Sequence, residues 1–330
     1  MTNTIQIVNG QYRGQDVVNE TMELVRPVKK GSKGYFVTVK SNGSVAAKGN
    51  TIRVLLESPD DIRKAEETKP LETDEQVIER IEQRFQILED MTAASICGDV
   101  RAMIVTGPPG VGKSYGVEHQ LDRASLFDEV ASRPKRFEVV KGAMTPIGLY
   151  CTLYRYSDAG NVLVFDDCDS ILMDDLSLNI LKAALDSGKK RRIFWNSDSH
   201  KLRNEGVPDQ FDFKGSAIFI TNIKFENVKS KRLQDHLEAL QSRCHYLDLT
   251  LDTMRDKILR IKQIFNKGDL FVDYGFSKET GDDIIEFMDQ NKTRLREVSL
   301  RMALKIADLT KVHKNWRALA ESTCMYNRKA

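Results

Sequence analysis

At 330 residues the chain is too long for one ordinary compact domain and suits two or three. Charged residues make up 30% and nearly cancel to +2, so no global field marks it for nucleic acid or a membrane, and any such surface has to be local. Five scattered cysteines (Cys97, Cys151, Cys168, Cys244, Cys324) without Cys-x-x-Cys spacing argue against a disulfide framework or a zinc site. No apolar run approaches the ~18 to 20 residues that span a bilayer, and the polar start carries no signal pattern. These features read as a soluble, unexported protein of a reducing cytoplasm.

Residues 1–68 mix alternating segments with turn residues. Tyr35 to Lys40 and Thr51 to Leu56 have strand character, with Ile52, Val54 and Leu56 on one face. Asn42-Gly43 between them favours a tight hairpin, because both residues tolerate positive φ. Ser58-Pro59-Asp60-Asp61 has the form of an N-cap and first turn of a short helix. The region reads as a small β-rich element, either a partner-binding module or an arm on the main domain. Thr73 with Gln76 resembles a capping box, and Val77, Ile78, Ile81, Phe85 and Leu88 then recur at helical spacing to about residue 95.

From there the period changes. Ala102 to Val105 is a short apolar strand followed by a glycine-rich loop, and strands recur at Phe137 to Val140, Val162 to Phe165 and Ala217 to Ile220. Alternation of strands and helices means a mostly parallel sheet covered on both faces, an α/β domain over 69–250. From Leu251 onward the strands stop. Met254, Ile258, Ile261 and Phe265 make one helical stripe, Ile284, Ile285 and Met288 a second, and Val298, Met302, Ile306 and Leu309 a third, so a small all-helical domain is expected over 251–330.

Gly107-Pro108-Pro109-Gly110-Val111-Gly112-Lys113-Ser114 fits the P-loop pattern G-x-x-x-x-G-K-[ST], and it sits where that pattern has meaning, between a strand and a helix. Glycines let the backbone curl so that its N–H groups and the helix N-terminus hold phosphates. With Tyr115 next in line, these residues are the expected ATP-binding segment. Lys113 is expected on the β- and γ-phosphates and the Ser114 hydroxyl on Mg2+. Val162-Leu163-Val164-Phe165-Asp166-Asp167 reads as a buried strand delivering two carboxylates at its C-terminal end. Asp166 is the second expected Mg2+ ligand, and Asp167 is placed to orient and polarise an attacking water. Asp169 is expected to cap the next helix, and Cys168 is read as structural.

The order of these features resembles the AAA+ ATPases, in particular the short ones of tailed bacteriophages, over about residues 75 to 312. That resemblance implies a P-loop parallel sheet with a helical lid, ATP hydrolysis, a homo-oligomeric ring and, for a phage protein, the cytoplasm of the host. It usually brings glutamate at the second acidic position, and Asp167 is shorter by one methylene, roughly an ångström of reach. By resemblance, Asn222 at the end of Phe219-Ile220-Thr221-Asn222 is the polar sensor. Arg243, after Ala239-Leu240-Gln241-Ser242, is the finger offered to a neighbouring subunit's ATP, with Arg232 as the substitute. Arg301, in Glu297-Val298-Ser299-Leu300-Arg301, is the lid sensor, with Arg294 and Arg296 close enough to be confused with it.

Lys189-Lys190-Arg191-Arg192, followed by Ile193-Phe194-Trp195, is either a solvated charge run beside a core tryptophan or a channel-facing cluster in which cations neutralise phosphates and Trp195 stacks on a base. Lys141-Gly142-Ala143-Met144 falls where protein unfoldases carry a gripping aromatic and has none. That omission favours nucleic acid, or a docked protein partner, over threaded polypeptide. A protein remodeller and an ATP-switched scaffold with little turnover are the alternatives.

Overall fold

Strand alternation organises the first of the two units into which the chain divides, Met1–Thr73 and Asp74–Ala330. The computed structural model describes residues 4–31, 34–58, 61–64, 72–268 and 270–326. The first unit is antiparallel: β1 (Thr4–Tyr12), β2 (Gln15–Gly31), β3 (Gly34–Lys40), β4 (Thr51–Leu56) and β5 (Ile62–Lys64). Their order is β2-β3-β4-β1-β5, and β1 also pairs with β2, so the first four strands close into a small barrel. Two register shifts in β2, between Leu24 and Lys29, let its 17 residues bend around that closure. Ile52, Val54 and Leu56 point inward with Ile7, Val17, Val37 and Val39, while residues 51, 53 and 55 are exposed.

Two local expectations are corrected here. Asn42-Gly43 does not make a two-residue hairpin. The loop runs from Ser41 to Asn50, closed by Ser41 N donating to Asn50 O and Gly49 N to Ser41 O, and the Asn42 side chain accepts from Ser44 N in a local turn. The short helix expected after Ser58 is also absent among the described residues: Ile62–Lys64 is a strand on β1, while Pro59 and Asp60 lie outside the described residues. The position 68/69 and the tail Asn327-Arg328-Lys329 lie outside them too.

The second unit opens with α1 (Asp74–Cys97), which buries Val77, Ile81, Phe85 and Leu88 and leaves Ile78 half-buried. Then follow β6 (Ala102–Thr106), α2 (Lys113–Val130), β7 (Phe137–Lys141), α3 (Pro146–Arg155), β8 (Val162–Asp166), α4 (Asp169–Leu172) and α5 (Asp175–Ala184). A two-stranded excursion, β9 (Arg192–Phe194) and β10 (Gln210–Asp212) around α6 (His200–Glu205), precedes β11 (Ser216–Thr221), α7 (Lys231–Gln241) and β12 (His245–Asp248). The main sheet is parallel, in the order β12-β6-β11-β8-β7.

Its three central strands are buried at every position because both faces are covered. Ala102 and Ile104 enter the core on one face, Met103 and Val105 the core on the other. The last part is helical: α8 (Met254–Asn266), α9 (Lys278–Gln290), α10 (Leu300–Val312) and α11 (Trp316–Cys324). Two of the predicted stripe positions differ. Val298 precedes α10, whose N-cap is Ser299, accepting from Met302 N, and Met254 is exposed at the start of α8.

Candidate nucleotide site

The P-loop connects β6 to α2 through three glycines with positive φ, and each is required. Gly107 (φ 148) lies against Leu249, so that a Cβ there would sit 3.1 Å from backbone atoms; Gly110 (φ 71) would place one 2.8 Å from the Ser299 Cβ; Gly112 has φ 102. Leu300 N donates to Gly110 O at 2.9 Å, tying the first turn of α10 to the loop.

Lys113 is 5% exposed. Its Nζ donates to Gly107 O (2.8 Å), Pro108 O (3.0 Å) and Asn222 Oδ1 (2.7 Å). Burial pulls its pKa down to about 8, against the opposing pull of the Asp167 and Asp166 carboxylates. On the other side Asn222 Nδ2 donates to Asp167 Oδ1 at 3.0 Å, so cation, amide and acid form one chain of hydrogen bonds. Asp167 itself has φ 52, the left-handed region that aspartate tolerates better than most residues, and its N–H donates to Ile220 O on the neighbouring strand.

Asp166, the last residue of β8, is 5% exposed and accepts from Ser114 Oγ at 2.9 Å. That hydroxyl and that carboxylate are oxygen donors of the kind a small hard divalent cation takes alongside phosphate oxygens and water, so the residues present fit Mg2+. Lys141, at the end of β7 and opposite Asp166 in the sheet register, has its Nζ 2.6 Å from Glu118 Oε1 and 3.6 Å from Asp166 Oδ2. The hydrogen bond to Glu118 raises its pKa. Sequence reasoning read this lysine only for the missing aromatic beside it, although a cation ending the strand beside an acidic one was visible.

These groups border one cavity of about 650 Å³. Pro109, Gly110, Gly112, Lys113, Ser114 and Tyr115 line it from the loop, Asp166, Asp167 and Asn222 from the strand ends, and Arg301 from α10. A second, more apolar wall of Ile264, Leu270, Tyr274 and Leu304 completes it. Sequence analysis missed that wall, because apolar residues of a helical domain read as core whichever way they face. Arg294 and Arg296 are committed elsewhere: Arg294 Nη1 donates to Asn291 Oδ1 (3.5 Å), and Arg296 donates to Met325 O and Cys324 O and covers the Tyr326 ring.

Several expected residues do not join the cavity. Arg243 follows the end of α7; its Nη1 donates to Ala239 O and its Nε stands 3.9 Å from Asp186 Oδ1. Arg232 pairs with Asp175 at 2.6 Å. Asp169 caps nothing; its Oδ1 accepts from the Thr221 hydroxyl (2.7 Å), while Cys168 occupies the cap position with burial pushing its thiol up to about 11. The basic stretch is broken up. Lys189 and Lys190 are exposed, but Arg191 is 9% exposed, donates to Ala184 O and Gly215 O and lies on the Phe213 ring, so it is removed from any surface partner. Arg192 is held by Asp212 at 2.8 Å. Trp195 packs on Tyr150, ring centroids 5.5 Å apart, and the exposed aromatic of the segment is Phe194.

Fold and site define a P-loop α/β protein whose parallel sheet is followed by a helical domain that closes over the loop. The chain belongs to the same family as the uncharacterized 36.7 kDa protein of the nrdC-mobD intergenic region of Enterobacteria phage T4. The two are 35% identical over 260 residues, 78% of each chain. No protein-family model matches the sequence. Among solved structures it is similar to domain III of the replication initiation protein DnaA from Thermotoga maritima (TM-score 0.42, 11% identity, 76% of this chain and 92% of that one). It is also similar to Cdc6p from Pyrobaculum aerophilum (0.40, 11%, 77% and 65%) and to the Aeropyrum pernix ORC2 protein (0.41, 12%, 80% and 72%). These are likenesses of fold. Among the described residues no helix is long and apolar enough to cross a membrane.

Proposed function

We propose that the protein is an AAA+ ATPase, hydrolysing ATP to move or remodel a nucleic-acid partner, with residues 69–250 as its nucleotide domain and 251–330 as its lid. The observation that carries the reading is the convergence of Lys113, Ser114, Asp166, Asp167, Asn222 and Arg301 on one cavity beneath a glycine-shaped loop. The loop amides and Lys113 bind the β- and γ-phosphates, and the apolar wall of Ile264, Leu270 and Tyr274 takes the base. Ser114 and Asp166 would hold Mg2+, which would offset the negative charge of the phosphates.

Phosphate oxygens compete for Lys113 Nζ with its present acceptor, Asn222 Oδ1. Asn222 and Asp167 are thereby freed to hold the attacking water in line. As the water oxygen bonds to the γ-phosphorus and the bond to ADP breaks, Asp167 takes up the water's proton. Arg301 faces the transferring group from the same chain. Arg243, outside the cavity, supplies its guanidinium to a neighbouring subunit's site in a homo-oligomer, an effect worth roughly 10³ to 10⁵ in rate in well-studied cases.

The test is ATP turnover against protein concentration, with and without single-stranded and duplex DNA. Specific activity is expected to rise with concentration and with DNA, and to vanish in Lys113→Ala. Arg243→Ala is expected to lose turnover and keep nucleotide affinity, and mixing it with Asp167→Ala subunits to restore part of the activity. Turnover independent of concentration, with Arg243→Ala fully active, would remove the shared-site reading.

A further inference from the structure

The first unit carries a surface that the nucleotide site does not explain. On the outer face of the barrel two cross-strand rows run over β2, β3 and β4. Lys29, Phe36 and Leu55 stand opposite one another in one row, and Arg26, Thr38 and Arg53 in the next. Val37 and Val39 point into the core, so Phe36 and Thr38 point away from it. Phe36 is thus an aromatic ring on the outside of a sheet, half-buried by its neighbours, with the Arg53 guanidinium 5.3 Å from its centroid.

Within these two rows every charged residue is basic. The next row is neutralised, because Lys40 is held by Glu23 at 2.9 Å. Among the described residues Arg26, Lys29 and Arg53 make no ion pair, and all three are exposed. From strand and residue spacing, Lys29 and Arg53 are about 12 Å apart at their Cα atoms, with the ring between them. Three unneutralised cations around a flat apolar ring present both a charge for phosphates and a platform for an unstacked base. A duplex satisfies only the first, since its bases are stacked and its edges, not its faces, are exposed. An acidic peptide without aromatic side chains, such as polyglutamate, likewise has nothing to lay on the ring.

We propose that this barrel face binds single-stranded nucleic acid, with Phe36 and the Arg53 plane stacking a base and Arg26, Lys29 and Arg53 contacting flanking phosphates. The site belongs to the first unit and requires no nucleotide. Three phosphate contacts give a log–log salt slope of about −2, or roughly a 20-fold loss of affinity between about 50 and 200 mM salt.

The experiment is fluorescence anisotropy of the full chain, without ATP, on a labelled oligo-dT of about 20 nucleotides, a length that spans one small-barrel site. A duplex of equal length and polyglutamate serve as competitors. The triple variant Arg26→Gln/Lys29→Gln/Arg53→Gln is expected to lose binding at least tenfold and most of the salt slope, and each single change to lower the slope by about 0.7 units, roughly a third of it. Phe36→Leu, which keeps apolar volume, is expected to weaken oligo-dT about tenfold while leaving the salt slope in place. ATP turnover without DNA is expected to be the same in the triple variant as in the parent, so this proposal and the ATPase reading can fail separately. Any of three results overturns it: no binding of oligo-dT by the parent, equal competition by duplex or polyglutamate, or full affinity in the triple variant while Lys189→Gln/Lys190→Gln loses it.

Discussion

Lys113 gives the site a pH dependence that follows from its burial. Its ammonium is nearly enclosed, with two backbone carbonyls and the Asn222 amide oxygen as acceptors, and desolvation brings its pKa to about 8. ATP requires the charged form, so the apparent dissociation constant scales as one plus the ratio of neutral to charged lysine. From a pKa of about 8, affinity is nearly level up to pH 7, about twofold weaker at pH 8 and about tenfold weaker at pH 9, a loss of about 1.4 kcal/mol. Cys168, next to Asp167 in sequence and pushed up to about 11, stays protonated throughout. The assay is titration with a fluorescent ATP analogue from pH 6.5 to 9.5 at constant ionic strength, on the parent and on Lys113→Arg, whose guanidinium does not titrate there. Asp167 favours the charged lysine, so Asp167→Asn is expected to move the midpoint to lower pH. Level affinity between pH 7 and 9 in the parent, or a parallel decline in Lys113→Arg, would refute the argument.

The other predictions concern turnover and stability. Asp167→Asn preserves the tolerance for positive φ but removes the carboxylate proposed as the base, so phosphate release is expected to drop at least 100-fold with ATP affinity retained at about pH 6.5, below the lysine midpoint; unchanged release would assign the base elsewhere. Gly110→Ala combines φ 71 with a Cβ 2.8 Å from that of Ser299, so it is expected to lower stability by about 1 to 3 kcal/mol and to weaken ATP binding; a melting curve and a nucleotide titration matching the parent would contradict this. Gly281→Ala would drive a Cβ into the Phe265 ring, so the helical domain is expected to melt earlier at a cost of about 1 to 3 kcal/mol, while Lys113 chemistry at neutral pH is unaltered.

What the sequence showed best were the elements whose pattern has one physical solution. The runs at Ala102, Val162 and Ala217 are apolar at consecutive positions because both sheet faces are covered, and the structure buries them throughout. The P-loop was legible because glycine, lysine and serine at fixed spacing have few other uses. Less legible was anything decided by where a side chain turns. Arg191 and Arg192 look alike in sequence, but one lies on Phe213 inside the fold and the other faces Asp212. The edge strand β12 reads as polar, since His245 and Asp248 are exposed, and so it was absorbed into the segment around Arg243. Asn42-Gly43 has the residues of a tight turn without its geometry, because the Ser41 and Asn50 backbone pair closes a longer loop around it.

The site's wiring explains how the α/β layer and the helical lid depend on each other. Lys113, Asn222 and Asp167 form a single hydrogen-bonded chain that runs from a buried ammonium to an exposed amide and carboxylate, so losing Asn222 takes one of three acceptors from the buried Lys113 while Gly107 O and Pro108 O remain. On the opposite side the Leu300 amide is bonded to Gly110 O, and Arg301, one residue further, enters the cavity. The same short turn therefore holds the loop's shape and aims the lid's charge. A tilt of α10 that withdraws Arg301 must also stretch or break the bond to Gly110 and loosen the packing of Ser299 and Leu300 on Gly110 and Gly112. If the proposed function holds, coupling between nucleotide and lid would run through this bond together with the packing of Ser299 on Gly110 and Leu300 on Gly112.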